Sequence, residues 1–323
     1  MWVLLVTIVV LIALILATAV LYVGMRSTGT DAGSAVVPTT MPTTATNATT
    51  TTEATTTTGT TTTTGAATSA TSGQSATTAG TPTGTAALQG NPLFADPSAG
   101  LVAQRCNAVG WPSNSGTGTR FFDSVTPCLD RAWKAAFTGA GIAYRSPTVL
   151  VPTGTRLGSP CGVTDLSQDN VAAFYCPTNE TLYMPPQGLQ VDRYGNQPVI
   201  YLAVFAHEFG HHVQLVSGIL DAESSFERQY GRSSARGLEM SRRTELQAQC
   251  FSGMFINSVS DTGGQFTRAD YPTAYEDQER GDPPGSKRTH GTSAHAQGWW
   301  DTGYQTNRLA RCNTWSASSA DVA

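Results

Sequence analysis

Histidine is scarce in this chain, with five residues among 323. A basic surface is missing too. The net charge is −4 and the pI near 5.7, which leaves no electrostatic footprint for nucleic acid. The six cysteines, Cys106, Cys128, Cys161, Cys176, Cys250 and Cys312, contain no C-x-x-C pair. That argues against a thiolate metal site and for disulfides. No heptad run and no long exposed apolar stretch occurs, so a monomer is expected.

What is there centres on Val199 to Gly218, VIYLAVFAHEFGHHVQLVSG. The run is apolar almost all round, as in a buried helix, and Gly218 supplies a stop signal. Inside it, His207-Glu208-Phe209-Gly210-His211 is an H-E-x-x-H motif. Residues four apart share one helix face, so both imidazoles can reach one ion. Zinc held this way keeps a position for water, and Glu208 stands where it can take that water's proton. With so few histidines the pattern arises by chance in roughly one such chain in a few hundred. The alternative, a core helix with satisfied histidines, must bury three polar groups. His212 points about 100° away from His211 and reads as a supporting or structural histidine.

Before this helix, Trp2 to Val23 is uncharged and apolar, long enough for a membrane-spanning anchor over residues 1–25. Ala17-Thr18-Ala19 leaves a cleaved signal peptide open. Residues 26–90 are a Thr-rich tract with Ala, Gly, Ser and Pro, expected to be a disordered stalk that accepts O-linked sugars. Residues 91–323 suffice for one ordinary domain. Of the fifteen pairings six cysteines allow, the expected set is Cys106–Cys128, Cys161–Cys176 and Cys250–Cys312, the middle pair because its members lie close in sequence. Disulfides place the domain outside the cytoplasm.

Within the domain, Asp130 to Phe137 predicts a short helix with Trp133 and Phe137 on one face. Pro147 to Val151 predicts a strand. Val171 to Tyr175 and Thr181 to Met184 predict a hairpin turning at Asn179-Glu180, pinned by Cys161–Cys176. An edge strand of such a sheet can bind a peptide by strand addition. Asp221 to Arg236 predicts a solvated helical face carrying Glu223, Glu227, Arg228 and Arg232. A second apolar-periodic helix runs from about Leu238 to Val259.

A catalytic zinc normally takes three protein ligands. A third histidine ten residues after the first is absent, since Ser217 stands there. The downstream carboxylates are Asp221, Glu223, Glu227, Glu239 and Glu245. Glu245 stands out because Leu246, Phe251, Met254 and Phe255 make its helix a core element. An ion pair with Arg242 is its plain alternative.

Four stretches, AFYCPTNETLYM, HEFGHHVQ, RRTELQAQC and HGTSAHAQGWW, together resemble the bacterial putative neutral zinc metallopeptidase family over roughly Ala99 to Trp315. The resemblance implies a glutamate-zincin-like Zn2+ site with His207, His211 and Glu245 as ligands and Glu208 as base. Gln249 replaces the aspartate usual in E-L-Q-A-D-C, which in related glutamate zincins orients a zinc histidine. The glutamine lacks the charge that raises ligand basicity. His290, in a stretch that matches the family, is a candidate for stabilising the oxyanion or for fixing its loop. His295 has no expected role, and Trp299 and Trp300 read as core.

The expectation is an α+β zincin-like domain, a small sheet packed on the H-E-x-x-H helix and a second ligand-bearing helix. Its function would be a membrane-anchored, extracytoplasmic zinc metallopeptidase acting on peptide or protein substrates. The alternatives are a zinc-stabilised surface binding module of weak or lost activity, or a zinc-dependent cell-wall amide hydrolase.

Overall fold

The computed structural model describes residues 81–111, 118–167 and 171–323. The expected anchor, and the stalk as far as residue 80, lie outside the described residues. Among the described residues no helix is long and apolar enough to cross a membrane.

Core packing begins ahead of Asn91, with Ala87 and Leu88 already buried. Asn91 itself is buried and joins that segment to the far end of the motif helix. Its amide donates to Ala87 O (2.8 Å) and Ser217 O (3.0 Å).

Helix α1 spans Thr119–Gly139 and is far longer than the predicted Asp130–Phe137. Pro127 lies inside it, where it costs roughly 3 kcal/mol. Burial of Phe121, Phe122, Val125 and Leu129 offsets that cost. Trp133 and Phe137 are fully buried, as their spacing predicted.

Strands follow: β1 (Thr148–Leu150), β2 (Arg156–Ser159), β3 (Gly162–Asp165), β4 (Phe174–Cys176) and β5 (Thr181–Tyr183). One sheet has the order β1-β5-β4, with β1 parallel and β4 antiparallel to β5. The predicted β4–β5 hairpin is present, with Tyr175 opposite Leu182. The β2–β3 hairpin is an element the sequence reading missed. Ser159 pairs with Gly162 across a two-residue turn containing Cys161. All three expected disulfides form. Cys161–Cys176, however, does not pin the β4–β5 hairpin. It ties the β2–β3 turn to the end of β4, because Cys161 sits in the tip of a separate sheet.

Helix α2 (Val191–Tyr194) leads into α3 (Pro198–Val216), the motif helix. Most of α3 is buried, and Pro198 opens it. Gly218 ends it at φ 81°, a left-handed conformation, where a Cβ would also overlap the Pro82 carbonyl.

Helix α4 (Ile219–Tyr230) follows, then α5 (Ala235–Val259), which Ser234 caps by accepting from Gly237 N. Glu223 was expected on a solvated face and is buried instead. Burial first, then the neighbouring Glu227, push its carboxyl up to about 8. Helix α6 (Tyr271–Glu276) and helix α7 (Ser293–Thr306) complete the order.

The core is a helical stack with α5 between α3 and α7. Three glycines let the backbones approach. A Cβ at Gly253 would overlap Trp300 O, and one at Gly303 would overlap Cys250 O. A Cβ at Gly210 would lie 3.2 Å from Ala248 Cα. Nearby, Ser252 Oγ donates to Ala203 O at 2.8 Å, so α3 and α5 run antiparallel. Trp300 is fully buried, as predicted; Trp299 is half-buried against Leu246, Ala296 and Val322.

Candidate metal centre

His207 and His211 lie one turn apart on α3, and α5 brings Glu245 against both. His207 Nε2 is 3.3 Å and His211 Nε2 3.5 Å from Glu245 Oε2. Two donors bound at about 2.0–2.1 Å to a tetrahedral zinc stand about 3.3–3.4 Å apart, so these separations suit that ion. Among the described residues this is the one group of three His, Cys, Asp or Glu with ligand atoms close enough to hold a metal. The donor set, two imidazoles and a carboxylate, is that of catalytic rather than structural zinc. The three side chains keep 15%, 13% and 21% exposure, so the triangle has an open side for water and substrate.

Electrostatics bind the triangle together. Burial disfavours the charged form of His211, but the Glu245 carboxylate outweighs it and raises the imidazole pKa to about 9. Burial likewise opposes the charge on Glu245; His211, His290 and His207 overcome it and hold the carboxyl well below its usual range. Arg242 does not compete for Glu245. Its guanidinium donates to Val322 O and Arg288 O. Three of the four rival carboxylates are occupied elsewhere: Glu239 pairs with Arg243 at 2.7 Å, Glu227 with Arg232 at 3.3 Å, and Glu223 is buried beside Glu227.

Glu208, next to the first ligand, is buried. His290 comes in from the loop before α7, with Nε2 3.8 Å from Glu245 Oε2. Asp282 holds that histidine. Its Oδ2 accepts the His290 backbone N–H (2.5 Å), and its Oδ1 lies 3.2 Å from Nδ1. The other histidines are structural. His212 is fully buried and bridges Tyr175 Oη (2.9 Å) and Arg145 O (2.7 Å), tying α3 to β4. Burial lowers its pKa, so it stays neutral. His295 packs against the C-terminal segment through Ala323 O.

Gln249 does not orient a ligand. It is buried, its Oε1 has no hydrogen-bond partner among the described residues, and neither has His207 Nδ1. The residue that does contact a ligand's second nitrogen is Gln214, whose Oε1 lies 2.8 Å from His211 Nδ1. The sequence reading passed over it; its one signal was a polar side chain three residues past a ligand, on the same helix face.

An H-E-x-x-H helix crossed by a second helix that supplies a glutamate defines a zincin-like metallopeptidase. Residues 98–315 match the family described as putative neutral zinc metallopeptidase, and the chain belongs to it. Similar proteins include the uncharacterised Rv2575 of Mycobacterium tuberculosis, 30% identical over an alignment 214 residues long that covers 59% of this chain and 68% of that one. The uncharacterised YpfJ of Escherichia coli K12 is 28% identical over an alignment 231 residues long that covers 67% of this chain and 78% of that one. No solved structure matches.

Proposed function

We propose that the chain is a membrane-anchored, extracytoplasmic zinc metallopeptidase that cleaves peptide bonds. The observation that carries this is the His207–His211–Glu245 triangle, open on one side, with Glu208 beside it. Zinc bound there polarises a carbonyl and lowers the pKa of water. Glu208 takes the proton of the attacking water and passes it to the leaving amine. His290 donates from Nε2 to the oxyanion as it develops. Asp282 supports that role by accepting at Nδ1, which favours the doubly protonated ring.

The placement rests on other features. Residues 1–25 form the anchor and the Thr-rich tract from 26 to about 80 the stalk. The catalytic domain follows, its core already taking in Ala87 and Leu88 ahead of the expected boundary at 91, and acts as a monomer. Three disulfides support an oxidising compartment.

The test is a peptide-library digest by the zinc-loaded full chain, with a chelator control and Glu208→Gln. Hydrolysis should fall by about 10²–10⁴-fold in the variant while zinc stays bound. Unchanged hydrolysis would remove Glu208 from the mechanism. A zinc-loaded wild type inert on every peptide would favour the binding module, and cleavage confined to peptidoglycan amides would favour the cell-wall hydrolase.

A further inference from the structure

Gln214 and Gln247 are both fully buried, and each is oriented by a backbone carbonyl. Gln247 Nε2 lies 3.2 Å from Cys312 O. A carbonyl can only accept, so this end of Gln247 is the nitrogen, and its Oε1 faces the other way. There it meets Gln214 Nε2 at 3.0 Å. Gln214 Nε2 also donates to Thr244 O at 2.8 Å, which uses its second hydrogen. Gln214 Oε1 is thereby turned toward His211 Nδ1.

An amide oxygen can only accept, so His211 must carry a proton on Nδ1. A neutral imidazole with Nδ1–H has its lone pair on Nε2, and Nε2 is the atom that faces Glu245. We propose that Gln214 and Gln247 form a positioning relay that makes His211 an Nε2 ligand, and that the relay ends on the Cys312 carbonyl. The Cys250–Cys312 disulfide anchors that end. Cys250 lies three residues after Gln247 on α5, so the bridge holds the carbonyl over the same helix face. The two ligand histidines therefore differ. His211 is fixed by a chain of three hydrogen bonds, whereas His207 Nδ1 has no partner among the described residues.

The inference rests on the zinc site and not on peptidase activity, so its test reads neither hydrolysis nor substrate. In zinc-loaded full chain labelled with ¹⁵N-histidine, two-bond ¹H–¹⁵N correlation should show His211 bound through Nε2. Its Nδ1–H should exchange slowly, and Gln214→Leu should abolish that protection. Binding through Nδ1, or an Nδ1–H that exchanges freely in wild type, overturns the proposal without any variant. Zinc affinity is the second arm. Gln214→Leu should weaken it by about 10–100-fold, as loss of an outer partner of a ligand histidine does. Gln247→Leu should weaken it less, and the double variant no more than Gln214→Leu alone, because Gln247 acts through Gln214. A full additional loss in the double variant refutes the relay. A wild type that binds no zinc would sink the metal centre itself, a different failure.

Discussion

Zinc binding should release a proton, and the amount follows from His211. Glu245 overcomes the effect of burial and lifts this imidazole from 6.5 to about 9 in the metal-free protein. Zinc needs it neutral. At pH 7 the ion therefore displaces a proton held two pH units tight, which costs about 3 kcal/mol or roughly 100-fold in affinity. The apparent association constant should rise about tenfold per pH unit from pH 7 to 9 and then level off. Competition with a chromophoric chelator at a series of pH values measures this slope. Calorimetry in two buffers of different ionisation enthalpy should count about one proton released per zinc at pH 7.5. A flat affinity across pH 7 to 9, with no proton released, would refute the reasoning. The metal-free fold should show the opposite trend at the alkaline end. A folded pKa above the unfolded 6.5 means the His211 contribution is complete below 6.5 and is lost as pH rises through about 9. Glu245 is depressed, so its contribution is present above about 4.5 and vanishes on acidification.

Three further outcomes are expected. Glu245→Ala removes the ligand from the second helix and should weaken zinc by more than about 100-fold, since even an outer-shell loss reaches that size; equilibrium dialysis reads it, and full retention would move the third ligand elsewhere. Gly303→Ala drives a methyl into the Cys250 carbonyl and should cost at least about 1–3 kcal/mol, seen as a lower urea midpoint at unchanged slope. Replacing Cys250 and Cys312 together by serine opens a cross-link spanning 62 residues, for which loop entropy predicts about 4 kcal/mol; a midpoint within error of wild type would contradict that.

The parts of this site that could be read in advance were those with a period or a fixed offset. His207 and His211 repeat at one helical turn, and Gly218 marks the stop beyond them. Glu245 was harder. Its sequence neighbourhood left four rival carboxylates open, and the family resemblance selected it; the structure shows those at 223, 227 and 239 engaged with other side chains. The first half of α1 was illegible because Pro127 argues locally against a helix that only tertiary burial sustains. Glu223 looked solvated because nothing in α4 reveals that its polar face meets the rest of the fold. The β2–β3 hairpin has exposed Val163 and two glycines among its eight strand residues, so no alternation announced it. Gln214 was missed for a related reason. A glutamine orients a ligand only through partners at 244, 247 and 312, and no spacing in the chain joins them.

The contact at Gly210 bears on how closely the two ligand-bearing helices approach. Across the two helices, the donor atoms of His207 and His211 stand 3.3 and 3.5 Å from that of Glu245. This is close to the separation that bonds of about 2.0–2.1 Å to one tetrahedral ion require, which leaves a tolerance of a few tenths of an ångström. A methyl at position 210 would sit 3.2 Å from Ala248 Cα and would push the two helices apart by a similar amount. The missing side chain between the two histidines thus sets how closely the helix carrying Glu245 can lie against them.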